Sequence, residues 1–364
     1  MLIRARLLFL LLFFFTQLTA QKKEQKNTAI APAPARVWSA EKANAWYKQQ
    51  GWITGANYIP NSAINQLEMW QADTYDSAGI DRELGWAQNI GFNTMRVFLH
   101  SIAWKQDPEG FKKRVENYLG IADRHRIKTI LVFFDDCWNK VPQAGTQPKP
   151  KPGIHNSGWV QDPGDPFSED TSGFAALEKY VKDVMMRFRT DKRILMWDLY
   201  NEPGNSGKKD SSLPLLKNVF EWARAVNADQ PLTVGLWAWD FENLNAFQLA
   251  NSDIITYHNY EEPQWHLRVI QLLKTNGKPL ICTEYMARTR NSRFSNTLPL
   301  LKNQQVGAIN WGFVAGKSNT IYAWDTPVAN GGQPDEWFHD IFMPDGAPYR
   351  SDEVNLIKRL NGIK

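Results

Sequence analysis

Two glutamates that each end an apolar segment could together cleave a glycosidic bond. Glu202 follows the segment Leu195–Asn201 and precedes Pro203, while Glu284 follows the segment Pro279–Thr283. Hydrolysis of a glycoside uses one carboxylic acid to donate a proton and a second carboxylate to attack or stabilise the sugar carbon. The pair therefore predicts a glycosidase site. Taken singly, Glu202 fits equally well in a surface turn, and Glu284 fits as a structural acid paired with an arginine.

The elements that would position these glutamates form an alternation of strands and helices. Eight apolar, β-branched or aromatic segments alternate with segments of helical periodicity, which indicates parallel βαβ units. At 364 residues the chain is long enough for a single (β/α)8 TIM barrel, an α/β fold. An open doubly wound sheet is the alternative, but no glycine-rich phosphate loop follows any predicted strand. Strands are predicted at Thr54–Tyr58, Thr94–Leu99, Thr129–Phe134, Ile194–Tyr200, Leu232–Trp237, Ile254–Tyr260, Leu280–Tyr285 and Ala308–Phe313, and helices at Ile80–Ile90, Phe111–Ala122, Phe174–Phe188, Leu213–Val226, Gln264–Leu273 and Glu353–Leu360.

The barrel prediction places both glutamates on one face of the molecule. Function in such barrels sits at the C-terminal ends of the strands, and Glu202 and Glu284 end the predicted fourth and seventh strands. Two long connections, Asn139–Asp170 after strand 3 and Ala315–Pro348 after strand 8, leave from the same face. Long loops in compact domains are usually functional or disordered. If these two close one end of a cleft, they would favour exo action or short oligosaccharides.

Strand order and strand-end motifs resemble those of the clan A glycoside hydrolases, especially the cellulase-like family 5, from about Trp52 to Phe313. The resemblance implies a barrel that cleaves a β-linked glucan or mannan with retention of configuration. It implies Glu202, beside Asn201, as the acid/base and Glu284 as the nucleophile. In that mechanism Glu202 has a high pKa and Glu284 a low one. A transglycosylase would use the same two glutamates.

Further positions match the pattern of that family. Arg96, in the segment Thr94–Phe98, resembles the arginine that keeps the nucleophile ionised, although an arginine there could also pair with a structural acid. His258 and Tyr260 resemble a His-x-Tyr motif in which the tyrosine donates to Glu284. The histidine of that motif contacts the sugar or the acid/base. Trp311 resembles the tryptophan that floors the subsite of the cleaved bond, and a core tryptophan is the alternative.

Other candidate sugar contacts follow the third and fifth predicted strands. Asp136 and Trp138 follow strand 3, and Trp237 and Trp239 end strand 5. Indole faces suit the C–H face of a pyranose, and the chain has 16 tryptophans, but core packing also explains many of them. Asp136 could instead cap a helix or pair with a base. A non-catalytic carbohydrate-binding barrel would keep the aromatic residues and lose the acid chemistry.

The N-terminus predicts export. Arg4 and Arg6 precede the apolar run Leu7–Phe15, and a small residue, Ala20, follows at a plausible cleavage position. The run is too short for a comfortable membrane span, which is the alternative. The predicted organisation is a signal peptide at residues 1–20, a disordered spacer at 21–36 and a catalytic domain at 37–364. The mature protein is expected to be secreted or periplasmic, without stable membrane insertion.

Charge and cysteine content limit the expected partners. Loss of Arg4 and Arg6 with the signal peptide lowers the formal net charge from +4 to +2, which gives no electrostatic reason to bind nucleic acid. A carbohydrate substrate and a monomeric state are expected. Cys137 and Cys282 lie on distant predicted strands and are expected to be free buried thiols. No cysteine and histidine spacing suggests a metal site, and the chemistry requires no metal or organic cofactor.

Overall fold

The structure is a computed structural model that describes residues 36–165 and 171–363. The predicted signal peptide and all of the predicted spacer except Arg36 lie outside the described residues. Within the described residues, no helix combines the length and apolar character needed to cross a membrane.

Eight parallel strands form the barrel, as the sequence predicts. They are hydrogen-bonded in the order β5-β4-β3-β2-β1-β8-β7-β6. Leu236 closes the remaining gap, because its amide donates to Thr256 at 3.0 Å and its carbonyl accepts from the His258 amide at 2.8 Å. The (β/α)8 architecture is therefore confirmed. The strands are β1 Thr54–Asn57, β2 Thr94–Phe98, β3 Lys128–Asp135, β4 Ile194–Asn201, β5 Leu232–Thr233, β6 Ile255–His258, β7 Leu280–Glu284 and β8 Gly307–Asn310.

Helices cover the outside of the barrel. Each buries one apolar face, and α5 shows the rule: Phe111, Val115, Tyr118 and Ala122 recur at helical spacing and are fully buried. Two predicted helices, α6 and α7, have the bounds that the sequence predicts, whereas α1, α8 and α10 were missed. The helices are α1 Ala40–Gln50, α2 Gln66–Trp70, α3 Ser77–Asn89, α4 Ser101–Gln106, α5 Pro108–Arg124, α6 Phe174–Phe188, α7 Leu213–Val226, α8 Glu242–Asn251, α9 Pro263–Lys274, α10 Phe294–Asn303 and α11 Ser351–Leu360.

The barrel interior changes from apolar to polar along the strand direction. Near the N-terminal ends of the strands, Ile130, Met196, Ile281 and Ile309 pack against one another in one buried cluster. Toward the C-terminal ends the interior instead contains a fully buried arginine, Arg96, and its polar partners. Buried charge is costly unless it is paired. This change therefore marks the end of the barrel at which chemistry is expected.

Candidate active site

The two glutamates meet at the C-terminal end of the barrel. Glu284 is the last residue of β7, and Glu202 directly follows β4. One carboxyl oxygen of each glutamate and a ring nitrogen of His258 all lie within 4.8 Å of one another. Strands that are not neighbours in the barrel thus bring three titratable groups to one point.

The backbone turns sharply at Glu202. Its φ of 45° lies in the left-handed region, and Gly204 two residues later has a φ of 90°. A non-glycine residue in that region costs of order 1–3 kcal/mol, so the surrounding structure must hold it there. Such strain is common where a side chain has to be aimed at a ligand, and the Glu202 carboxyl lines the cavity.

Asp136 supplies the force that holds this turn. Its Oδ2 accepts from the Gly204 amide at 2.8 Å and from the Ser212 hydroxyl at 2.5 Å. Its Oδ1 accepts from the Tyr200 hydroxyl at 2.8 Å and from the Lys208 ammonium at 2.7 Å. Four donors fill the carboxylate, and the residue is fully buried. The predicted sugar contact is therefore wrong for this structure: Asp136 pairs with a base and anchors the loop after β4.

Arg96 lies beneath the cavity and organises four polar side chains. Its Nη1 donates to Glu284 at 2.8 Å and to Asn57 at 2.8 Å, while Nε donates to Asp198 at 2.9 Å. Its Nη2 donates to Asn201 at 2.7 Å. Because it is fully buried and does not line the cavity, the geometry gives it contact with Glu284 and none with a bound sugar.

Two further donors surround the carboxyl of Glu284. The Tyr260 hydroxyl donates to Oε2 at 2.7 Å, and His258 Nδ1 lies 3.5 Å from the same oxygen. Burial raises the pKa of Glu284 above its usual value, although Arg96 and the Tyr260 hydrogen bond oppose the rise. The expectation of a low pKa is therefore not met in the substrate-free protein, because desolvation outweighs the neighbouring positive charge.

Glu202 sits in a different set of contacts. His258 Nδ1 lies 2.7 Å from Oε1, and Cys137 Sγ and Asn205 Nδ2 lie 3.3 and 2.5 Å from Oε2. Burial raises the pKa of Glu202, and the Cys137 and Asn205 hydrogen bonds oppose it. Burial also lowers the pKa of His258 to about 4, so the ring is neutral at pH 7. A neutral ring nitrogen can accept the proton-bearing oxygen of a neutral Glu202.

These three titratable side chains also form a possible donor set for a cation. Glu284, however, already accepts from the guanidinium of Arg96 at 2.8 Å and from the Tyr260 hydroxyl. A second positive charge would have to sit beside that guanidinium and compete for the same carboxylate. The donor set therefore suits proton transfer better than a divalent metal.

A cavity of about 630 Å³ opens above the glutamates and is walled by aromatic side chains. Trp311 is 8% exposed, and its ring lies edge-on to Phe98 at 5.8 Å and Trp159 at 5.5 Å. Trp237 lines the cavity and donates through Nε1 to the Pro203 carbonyl at 3.1 Å. The lining residues are Cys137, Trp138, Asn139, His155, Asn156, Trp159, Asn201, Glu202, Asn205, Ser206, Trp237, Tyr260, Glu284, Trp311 and Trp324.

The lining differs from the sequence prediction at several positions. Trp239 was predicted as a sugar contact, but it is 42% exposed and does not line the cavity. Trp324, His155 and Asn205 were missed as site residues. Trp324 belongs to the aromatic-rich connection after β8, which was the one available signal. Asn205 lies three residues after Glu202 and carried no signal of its own.

The two cysteines are free and buried, which agrees with the expectation from the sequence. Cys282 lies within β7, but Cys137 lies just beyond β3 rather than on a strand. Its thiol reaches the cavity beside Glu202. Position on the loop, not on the strand, is what brings this thiol to the site.

A larger cavity, of about 810 Å³, lies at the opposite end of the barrel. It is bordered by Trp52, Pro279 and Val306, which precede strands β1, β7 and β8. No aspartate or glutamate is among its described lining residues. It therefore lacks the acid–base groups that the smaller cavity contains.

Comparison with known proteins agrees with this site. The sequence model of the family described as Cellulase (glycosyl hydrolase family 5) matches residues 64–317. No curated protein sequence matches the chain. Three solved structures resemble the fold: an endo-β-1,4-mannanase from Thermotoga petrophila at 16% identity, with a TM-score of 0.57 and coverage of 87% of this chain and 77% of that one; GH5_18 from Streptomyces cattleya in complex with Manb1-4GlcNAc at 11% identity, with a TM-score of 0.62 and coverage of 85% and 80%; and an exo-β-1,4-mannosidase from Opitutaceae bacterium strain TAV5 at 14% identity, with a TM-score of 0.58 and coverage of 85% and 59%.

Proposed function

Because the chain belongs to glycosyl hydrolase family 5 and is therefore a glycoside hydrolase, we propose that it cleaves a β-linked glucan- or mannan-type saccharide with retention. The approach of carboxyl oxygens of Glu202 and Glu284 to within 4.8 Å carries this proposal. Retaining enzymes hold the two carboxyl groups about 5–5.5 Å apart, whereas inverting enzymes leave about 6.5–9.5 Å for a water molecule. The short separation favours the retaining arrangement.

In the first step, the carboxylate of Glu284 attacks the anomeric carbon and the bond to the leaving oxygen breaks. Neutral Glu202 gives its proton to that oxygen, so the leaving group departs as an alcohol. Burial favours the neutral form of Glu202, as this step requires. Arg96 and Tyr260 stabilise the ionised form of Glu284, which burial alone would disfavour.

In the second step, the carboxylate of Glu202 takes a proton from a water molecule, and the water oxygen attacks the anomeric carbon. The bond between that carbon and Glu284 breaks, which restores the starting charges of both glutamates. The Arg96 and Tyr260 donors stabilise the carboxylate that departs. His258, 2.7 Å from Glu202 and neutral, holds that carboxyl in place during both proton transfers.

The compared structures rank the substrates to be tested. Their names cite β-1,4-mannan, β-1,4-mannoside and the disaccharide Manb1-4GlcNAc. At these low identities they support the fold alone, so β-mannosides come first in a panel that also contains β-glucans. The Trp311 face at the base of the cavity fits a pyranose ring of either kind.

Export is part of the same proposal. The charged start, apolar run and Ala20 predict cleavage after residue 20 and a secreted or periplasmic enzyme. Expression of the full chain with its own N-terminus, followed by N-terminal sequencing of the exported protein, tests this. A mature chain that starts near residue 21 supports export, and a retained chain with Met1 intact contradicts it.

The decisive experiment measures hydrolysis and product stereochemistry on aryl β-mannosides, aryl β-glucosides and β-1,4-linked oligosaccharides. Glu284→Ala should abolish turnover, and added azide should restore the departure of an activated leaving group by forming an α-glycosyl azide. Glu261→Gln is the matched control, because this exposed glutamate lies next to Tyr260 and outside the cavity lining.

The outcomes separate the alternatives. A first product with the β-configuration supports retention, while a first product with the α-configuration contradicts it. Transfer of the sugar to an added acceptor, with little free sugar, would identify a transglycosylase. Binding of oligosaccharides without any turnover would identify a carbohydrate-binding barrel and overturn the proposal.

A further inference from the structure

Two long loops on the active face join each other and form a wall. We define the wall as residues 151–156, from the loop after β3, and residues 316–331, from the loop after β8. The strands β3 and β8 are separated in the barrel by β2 and β1. A connection between these two loops must therefore pass over the C-terminal ends of β1 and β2.

Backbone hydrogen bonds hold the two halves of the wall together. The Asn156 amide donates to the Ser318 carbonyl at 3.0 Å, and the Val328 amide donates to the Gly153 carbonyl at 3.0 Å. His155 Nδ1 lies 2.8 Å from the Tyr322 carbonyl. Backbone bonds of this kind do not depend on long flexible side chains, so the wall is a fixed part of the fold.

Two glycines show how closely the halves approach. A Cβ on Gly153, whose φ is 78°, would overlap the carbonyl oxygen of Val328, and a Cβ on Gly331 would overlap Pro152. Only glycine permits this contact between the two backbones. The sequence therefore contains small residues at the points where the wall is sealed.

The wall is also fastened to the segment that follows β1. The Lys317 amide donates to the Asn61 carbonyl at 3.1 Å, and its ammonium lies 2.6 Å from Glu68. The backbone of Gly316 packs against Asn61 so closely that a side chain would not fit. The end of the cleft above β1 is thus covered by chain.

The wall lies on the side of the cavity where the non-reducing part of a substrate would extend. Glu202 protonates the leaving oxygen, so the leaving group lies on its side, and the sugar that Glu284 attacks lies toward Trp311. Behind Trp311 come Trp159 and Phe98, in edge contact at 5.5 and 5.8 Å. Among the described residues that line the cavity, none belongs to the segment after β1 or after β2.

We propose that the wall makes this enzyme exo-acting, so that it removes single sugars from the non-reducing ends of short β-linked oligosaccharides. The inference rests on the proposed function and adds which bond of the substrate is cut. One sugar fits between the glutamates and the Trp311–Trp159 corner, and a chain that continued beyond it would meet the wall. The leaving group can be long, because its side of the cavity carries no such cover.

The test uses β-1,4-mannopentaose and cellopentaose labelled with a fluorophore at the reducing end. Exo action predicts free monosaccharide and the labelled tetrasaccharide as the earliest products, followed by a ladder that shortens one sugar at a time. Labelled mono-, di- and trisaccharides among the earliest products would show internal cleavage and overturn the inference alone. No hydrolysis of any saccharide or aryl glycoside would remove the proposed function and this inference with it.

A matched pair of glycine variants tests whether the wall is the cause. Gly153→Ala forces the two loops apart at a position outside the cavity lining, so internal cleavage of the labelled pentasaccharides should rise from undetectable to measurable. Gly145→Ala is the control, because Gly145 lies in the same loop at a positive φ of 91° with nothing within 4 Å of its added Cβ. Folding of both variants is checked by circular dichroism. An unchanged exo pattern in a folded Gly153→Ala protein whose wall has opened by hydrogen exchange would overturn the inference.

Discussion

The thiol of Cys137 lies 3.3 Å from Oε2 of Glu202, so a free cysteine donates to the proposed acid/base. The same sulfur accepts from Asn201 and Asn205, each at 3.4 Å, which orients its single hydrogen toward the carboxyl. A donor to a carboxylate stabilises its ionised form. Cys137 thereby opposes the rise in the pKa of Glu202 that burial produces.

Replacement of Cys137 should move the pH profile of the enzyme. Cys137→Ala removes a donor to ionised Glu202, so its pKa rises and the basic limb of kcat/KM moves to higher pH, by up to about one unit. Cys137→Ser keeps a donor and should restore most of the profile. An unchanged basic limb in Cys137→Ala would show that the contact does not act on the proton of Glu202.

The hydroxyl of Tyr260 should matter for rate more than for substrate binding. Tyr260→Phe removes the 2.7 Å hydrogen bond to Glu284, which stabilises the carboxylate as it leaves the sugar. Loss of one such donor lowers kcat by roughly 10²-fold. Steady-state kinetics should show that fall with little change in KM. Tyr75→Phe, which removes a hydroxyl that contacts Asn117, is the control and should leave kcat unchanged.

Asp136 is predicted to act on stability, and only through stability on activity. Asp136→Ala leaves the buried ammonium of Lys208 without its partner, which should cost about 3–5 kcal/mol. Thermal unfolding monitored by circular dichroism measures the loss. The double variant Asp136→Ala with Lys208→Met removes both charges and should recover part of it. A raised KM with an unchanged melting temperature would instead restore the sugar-contact interpretation.

Glu83 should make the stability of the protein depend on pH. Burial raises its pKa to about 7, and the Tyr58 hydroxyl contacts it at 2.9 Å. A carboxyl whose pKa is higher when folded binds more protons in the folded state, so its contribution is full below its unfolded pKa and is lost as pH rises through 7. The change is roughly 2–3 kcal/mol, after about 1.4 kcal/mol per pKa unit.

Melting temperatures measured between pH 4.5 and pH 8 test this prediction. Glu83→Gln carries no proton to lose, so its melting temperature should fall less over that interval than the temperature of the unmodified protein. Asp135 and Asp162, whose pKa values burial also raises to about 7, continue to contribute in both proteins. Equal slopes for the two proteins would mean that Glu83 does not titrate in this range.

Much of the barrel could be predicted because its signals are local. Helices α6 and α7 were placed at their observed bounds, since their apolar residues recur at helical spacing and bury a single face. Strand β4 was placed within one residue for a similar reason, as all eight of its residues are buried. By contrast α10 contains Pro299 in its interior, which conflicts with the usual helical pattern.

The sequence by itself determined the fold class and the positions of Glu202 and Glu284 at strand ends, because strand periodicity and chain order suffice for both. Only the tertiary structure decided that Asp136 anchors a loop, that Trp324 rather than Trp239 lines the cavity, and that burial raises the pKa of Glu284. These outcomes depend on loop conformations and on contacts between residues far apart in the chain. A side chain's direction at a strand end is set by such contacts and by backbone angles like the φ of Glu202, which no local pattern encodes.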